Sequence, residues 1–234
     1  MIKGIIFDKD GTLFDFNATW GTWTRAMLEA ETAHDPALFD PLAEALGYDT
    51  DQNRFLPDSL VIAATAGETA DRIRSVLPQL DRQALLARMN DAAAQVPQVE
   101  TVPLIAYFTN LRQAGLRLGI ATNDAEAPAR IHLERAGVNA MFDFVAGYDS
   151  GYGGKPAPGQ LLAFCDQTGL RPDECLMVGD STHDLHAGRA AGMGTVGVLT
   201  GPAPAEELSA IADAVLQHIG EIPDWLRSQT PPMI

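Results

Sequence analysis

Residues 3–13 read K-G-I-I-F-D-K-D-G-T-L, and the character of this stretch changes at its middle. Ile5, Ile6 and Phe7 form a short apolar run of the kind that a strand buried on both faces requires. The run stops at Asp8, followed by Lys9, Asp10 and Gly11. Two carboxylates thus stand just past the carboxyl end of a strand, the edge at which open α/β sheets bind ligands. If the chain stays extended through Asp10, the i, i+2 spacing points both side chains the same way, and Gly11 lets the backbone turn close to a bound anion. Like charges so near raise one another's pKa unless a cation intervenes. A divalent metal, a phosphoryl group, or both would relieve that conflict. A plain polar turn made of Asp and Gly is the simpler alternative.

Downstream of Leu13 the pattern turns helical. From about Ala18 to about Ala94 the text is rich in Ala, Leu, Arg and Glu, broken by turn signals at His34-Asp35-Pro36, Gly47-Tyr48-Asp49, Leu56-Pro57-Asp58 and Leu77-Pro78. No strand-like alternation interrupts it, which predicts an all-helical insert of four or five helices. Strands and helices alternate again from about Thr101. The spacing predicts a helix over 103–114 and strands over 116–122 and 143–147. It further predicts a helix over 160–168, strands over 175–178 and 194–199, and a last strand over 214–216. The expected architecture is α/β, a doubly wound parallel sheet (Rossmann-like core) with an inserted all-helical cap domain. Residues 1–16 and 98–234 would form the core and 17–97 the cap. The tail from Ser228 to Ile234 reads as loose.

Composition narrows the function. A chain of 234 residues that is 46% hydrophobic and 20% charged fits one sizeable domain with a smaller insert. No apolar run approaches the roughly 20 residues needed to span a bilayer, and no leader-like segment opens the chain, so a cytoplasmic location and no membrane partner are expected. The formal net charge of −15 disfavours a nucleic-acid partner but leaves a small anionic substrate open, provided a metal and local cations offset the field. Cys165 and Cys175 lack redox or metal-ligand spacing and read as buried thiols. Oligomeric state is not encoded legibly.

Three further strand or loop ends carry groups that Asp8 and Asp10 need. Thr122-Asn123-Asp124 follows the second core strand, Lys155 sits in the glycine-rich loop S-G-Y-G-G-K-P-A-P-G, and Asp180 and Asp184 follow a later strand in G-D-S-T-H-D. Taken singly, these are a helix cap, a solvated lysine and turn acids. In a parallel sheet they share one edge, where a hydroxyl, an ammonium and four carboxylates would meet.

In this combination the chain resembles the haloacid dehalogenase superfamily, in its phosphatase branch with a helical cap, and within it the phosphoglycolate phosphatases. The carrying motifs are D-K-D-G-T-L from Asp8, Thr122 at a strand end, Lys155 followed by Pro156, and Gly179-Asp180 with Asp184 four residues on. The resemblance implies Asp8 as nucleophile, forming an aspartyl-phosphate, and Asp10 as general acid and base. It implies phosphate binding by Gly11, Thr122, Asn123 and Lys155. Mg2+ would be held by Asp8, the Asp10 carbonyl, Asp180 and Asp184. The substrate would be a small phosphorylated metabolite, phosphoglycolate-like by preference.

Alternatives are a sugar-phosphate mutase of the same fold and a non-catalytic binding or regulatory module. A Schiff-base relative is excluded because Lys3, Lys9 and Lys155 are the only lysines and none lies in the insert. Arg25, Arg54 and Glu68 are candidates for substrate selection, His183 could orient a carboxylate, and Trp20, Trp23 and Met27 share a helical face read as internal packing.

Overall fold

The computed structural model describes residues 1–56, 59–62 and 64–229. Its centre is strand β1, Gly4–Phe7, with every residue buried. The next elements form the insert: α1 (Phe16–Glu31), α2 (Phe39–Ala45), β2 (Tyr48–Asp49), β3 (Arg54–Phe55), α3 (Ala66–Val76) and α4 (Arg82–Ala93). The core resumes with α5 (Leu104–Gln113), β4 (Arg117–Ala121), α6 (Glu126–Arg135), β5 (Phe144–Ala146), α7 (Gly159–Thr168), β6 (Cys175–Gly179), α8 (Thr182–Ala191), β7 (Gly194–Val198), α9 (Ala205–Ser209), β8 (Ala214–Leu216) and α10 (Ile222–Gln229). Among the described residues no helix is long and apolar enough to cross a membrane.

Six parallel strands form one sheet in the order β5-β4-β1-β6-β7-β8. The chain leaves β1, builds outward through β4 and β5, and returns to the opposite side of β1 for β6. Ile6 is flanked in register by Gly119 and Met177. The strand order therefore reverses around β1, and its carboxyl end faces the crevice where such sheets bind ligands. One apolar cluster, including Phe7, Phe108 and Val196, covers one face of the sheet, and another, including Ile6, Phe164 and Met177, covers the other. Both cysteines lie buried and free in the second, sulfurs 3.9 Å apart.

The insert has an apolar cluster of its own, including Phe16, Leu28, Leu42, Phe55, Ile73 and Met89. Its two connections to the sheet run side by side: the Asp15 amide donates to the Val99 carbonyl and the Thr101 amide to that of Leu13. One local feature departs from the helical expectation. Tyr48–Asp49 and Arg54–Phe55 pair as a short antiparallel ribbon where the sequence suggested only a turn. The Asp49 carboxylate accepts from the amides of Asp51 and Gln52, and Asn53 takes a positive φ of 50°, which together close the reversal. Two residues per strand are too few for alternation to register in a sequence. The turn expected at Leu56-Pro57-Asp58 lies partly outside the described residues. Ser228 and Gln229, read as loose, end α10, and the rest of that tail lies outside the described residues.

Candidate active site

Asp8 follows β1, Thr122 follows β4 and Asp180 follows β6, so three neighbouring strands deliver one group each to the same edge. Lys155 arrives from the loop after β5, and Asp184 from the first turn of α8. Ligand oxygens of Asp8, Asp180 and Asp184 lie within 4.8 Å of one another, and all three residues are buried. The Lys155 Nζ donates to Asp8 Oδ1 at 2.6 Å and to Asp184 Oδ1 at 2.5 Å. The other Asp184 oxygen accepts from the Ser181 amide and hydroxyl, completing a capping box that fixes the start of α8. Asp184 is thus both a helix first-turn acid and a member of the cluster.

Three buried carboxylates against one ammonium leave the cluster two charges short of neutral. Burial pushes the Asp8 carboxyl up to about 7, with the Lys155 ammonium opposing the rise and the Asp184 and Asp10 charges adding to it. Burial, with Asp8 and Asp184 nearby, also holds Asp180 well above the usual carboxylate range. Burial works against charge on Lys155, but Asp184 and Asp8 together raise it above an ordinary lysine. A hard divalent cation fits this all-oxygen donor set and would supply the missing charge. Space around Asp180 is shaped to match: a Cβ at Gly11, whose φ is +81°, or at Gly201 would run into its carboxylate. The Thr12 hydroxyl donates to Asp180 Oδ1 at 3.2 Å.

The phosphate-binding candidates divide. Thr122 is buried and lines the cavity together with Asp8, Asp10 and Lys155. The Gly11 amide, expected near a phosphoryl oxygen, instead donates to the Phe14 carbonyl at 2.7 Å, because it closes the turn after Asp10. Gly11 contributes its backbone shape. The Asn123 side chain grips the Lys155 backbone in both directions, its Oδ1 accepting from the amide at 2.8 Å and its Nδ2 donating to the carbonyl at 2.9 Å. That clamp sets the height of the Lys155 side chain.

Behind Asp10 lies an arrangement that the sequence did not signal. Lys9 is fully buried, with its ammonium 2.6 Å from Asp10, 3.4 Å from Asp124 and 3.1 Å from His132 Nδ1. Burial opposes its charge, yet Asp10 and Asp124 hold it above the normal lysine value. Burial also raises Asp124 to about 6, against the pull of Lys9. His132 Nε2 donates to the Ala93 carbonyl at 2.8 Å, which leaves Nδ1 to accept from Lys9. Burial and the adjacent ammonium lower His132 to about 4. The Lys9 Nζ also lies 5.6 Å from the centre of the Trp20 ring.

The insert closes over this floor around a cavity of about 120 Å3. Trp20, Trp23 and Met27 pack against the insert's cluster as expected, and Trp20 and Trp23 also line the cavity, as do Phe16, Phe55 and Met89. His183 lines it too, from the first turn of α8. Arg25, Arg54 and Glu68 do not. The Arg25 guanidinium is tied to Glu29, the Thr50 carbonyl and Asn53, and Glu68 forms a capping box with Thr65 at the start of α3. Arg54 is an exposed ribbon residue.

A sequence model of the family described as haloacid dehalogenase-like hydrolase matches residues 2–192. The chain is 29% identical over 251 residues to a phosphoglycolate phosphatase of Rhodospirillum rubrum, covering 99% of this chain and 93% of that one. Among solved structures it is similar to a putative haloacid dehalogenase-like hydrolase of Bacteroides fragilis, with a TM-score of 0.72, 21% identity and coverage of 95% and 100%. It is also similar in fold to a β-phosphoglucomutase of Clostridium difficile, with a TM-score of 0.68, 19% identity and coverage of 97% and 96%.

Proposed function

The chain belongs to the haloacid dehalogenase-like hydrolase family and is a phosphoric monoester hydrolase, and from that premise we propose that it hydrolyses a small phosphorylated metabolite through an aspartyl-phosphate on Asp8, with Mg2+ as cofactor. The observation that carries this reading is the Asp8 carboxylate, bound by Lys155 and within reach of Asp180 and Asp184 at the carboxyl end of the central strand. We assign residues 1–16 and 98–234 to the catalytic core and 17–97 to a cap. The separate apolar cluster of the insert supports that division, Phe16 at its edge packing with the insert.

Asp8 attacks phosphorus in line, its oxygen forming the new P–O bond as the ester P–O bond breaks. Asp10 gives its proton to the departing alkoxide. It then takes one from the water that attacks the aspartyl-phosphate, which regenerates the Asp8 carboxylate and releases phosphate. Lys155 offsets charge on the phosphoryl oxygens, and the Thr122 hydroxyl donates to them. Asn123 keeps Lys155 at the required height through its backbone. Asp8, the Asp10 carbonyl, Asp180 and Asp184 would hold the magnesium ion, which supplies Lewis-acid stabilisation of developing negative charge. Lys9 holds the Asp10 carboxylate beside the cavity. We place the enzyme in the cytoplasm, in line with the sequence expectation.

The test is phosphate release from a panel of phosphomonoesters with and without magnesium, phosphoglycolate first among them because of the Rhodospirillum rubrum relative's name. The expected outcome is metal-dependent release that falls by at least about a thousandfold in Asp8→Asn. Substantial turnover by folded Asp8→Asn would refute the role of Asp8. Interconversion of hexose phosphates without phosphate release would replace hydrolysis by the mutase reading.

A further inference from the structure

The wall that the insert contributes is mostly apolar. Facing the charged floor of the cavity are Phe16, Trp20, Trp23, Phe55, Ile62 and Met89. Trp20 and Trp23 meet edge to face, ring centres 5.3 Å apart at 88°, and Trp20 is braced from behind by the buried Lys9 ammonium. Two rings fixed in this way form a rigid apolar corner with little side-chain freedom left to lose on binding.

Among the described residues Lys155 is the only lysine or arginine along the cavity wall, and it is already bound to Asp8 and Asp184. The residues outside the description, Pro57, Asp58, Ala63 and 230–234, contain no lysine or arginine either. The two arginines that the sequence offered for a carboxylate, Arg25 and Arg54, lie off the cavity. A carboxylate on the leaving group would therefore be stripped of water against apolar rings, with no uncommitted lysine or arginine opposite it among the described residues, His183 the one other basic side chain on the wall, and Asp10 and Asp180 nearby. The cap side offers polar groups of a different kind. Thr24 and Asn90 line the cavity, and among the described residues the buried Thr24 hydroxyl meets no hydrogen-bond partner.

Resting on the phosphatase reading of this same site, we infer that the preferred substrate is a phosphomonoester whose leaving group is uncharged and carries one small ring with a hydrogen-bonding edge, unlike glycolate. The ring packs in the Trp20–Trp23 corner, and its polar edge meets Thr24 or Asn90. The cavity, about 120 Å3, holds both the charged floor and this ring corner, so phosphoryl group and ring occupy one continuous space.

Benzyl phosphate, ethyl phosphate and phosphoglycolate all release an alkoxide, so comparing them isolates the wall from the chemistry. With magnesium and the full chain, kcat/KM for benzyl phosphate should exceed that for phosphoglycolate by at least about tenfold, the discrimination a hydrophobic pocket achieves. Trp23→Ala should lower the benzyl-to-ethyl ratio by a similar factor of about ten, and Trp23→Phe should keep most of it. Asn90→Arg, which puts a cation on the wall, should shift the preference toward phosphoglycolate. A parent enzyme that prefers phosphoglycolate, or a benzyl-to-ethyl ratio unmoved by Trp23→Ala, would overturn the inference and leave the phosphatase reading standing. No phosphate release from any of the three by folded protein would overturn both.

Discussion

Replacing Lys9 by methionine removes a buried ammonium while keeping most of the side chain's length and apolar volume. The position is fully buried, so no water can take over the missing charge. Its Nζ lies 2.6 Å from Asp10 and 3.4 Å from Asp124, and accepting His132 Nδ1 is 3.1 Å away. After the substitution two carboxylates face each other across an apolar gap, and a ring nitrogen loses its donor. Removing one partner of a buried ion pair costs roughly 3–5 kcal/mol, a large share of the roughly 5–15 kcal/mol that holds a domain folded. The urea midpoint of the metal-free protein should therefore fall by at least about 1 M. Adding Asp124→Asn removes one of the stranded charges and should restore about 1 kcal/mol or more, a coupling expected only between groups in contact. A Lys9→Met variant within about 1 kcal/mol of the parent would refute the reasoning, since charges so little missed cannot be holding Asp10.

The acid cluster and the histidine yield two further outcomes. Millimolar magnesium should raise the Tm by several degrees through binding to the native state alone, about 2.7 kcal/mol at a hundredfold excess over Kd, and Asp180→Asn should abolish most of that rise. For His132, the folded value near 4 lies below the ordinary 6.5. The unfolded chain thus takes up its proton first as pH falls. Stability is full above about 6.5, declines between 6.5 and 4, and loses on the order of 3 kcal/mol across that window. His132→Gln can donate to the Ala93 carbonyl and accept from Lys9 without titrating, so its urea midpoint should decline less steeply between pH 6.5 and 4. An acid limb identical in the two proteins would rule out His132 as its cause.

What the sequence made legible and what it hid divide along a physical line. Asp8, Thr122 and Asp180 could be brought together before any coordinates because each follows an apolar run, and a parallel sheet puts the ends of all such runs on one edge. That inference needs only topology. The positions of Trp20 and Trp23 required more, since periodicity reports that a helix face is apolar and not whether it meets the insert's own core or a cavity. Lys9 was hidden for a related reason: a lysine between two aspartates in a turn reads as solvated, and only the approach of α6, bringing His132, and of Trp20 from α1 closes it in. Asn123, read for phosphate contact, lines the cavity and also holds the Lys155 backbone 32 residues away. Residue type places an amide at a site without saying which of two acceptors it meets.

The distribution of lysines links catalysis to selectivity. Of three in the chain, Lys155 lies under Asp8 and Asp184, Lys9 lies under Asp10 and Asp124, and only Lys3 is exposed. Each interior ammonium is committed to a pair of acids, so neither has charge in reserve for a distant part of the substrate. A divalent cation would bring the Asp8, Asp180, Asp184 and Lys155 cluster to neutrality, and the phosphoryl dianion would then add two negative charges to a buried site. One further carboxylate would raise that excess to three, where the cap's part of the wall offers rings, Asn90 and the hydroxyls of Thr24 and Thr69, and His183 of α8 is the one basic side chain on the wall besides Lys155 among the described residues. Low-dielectric surroundings magnify each uncompensated charge. An enzyme built for a carboxylate-bearing ester would need a fourth cation, and introducing one at Asn90 is the most direct way to convert the preference.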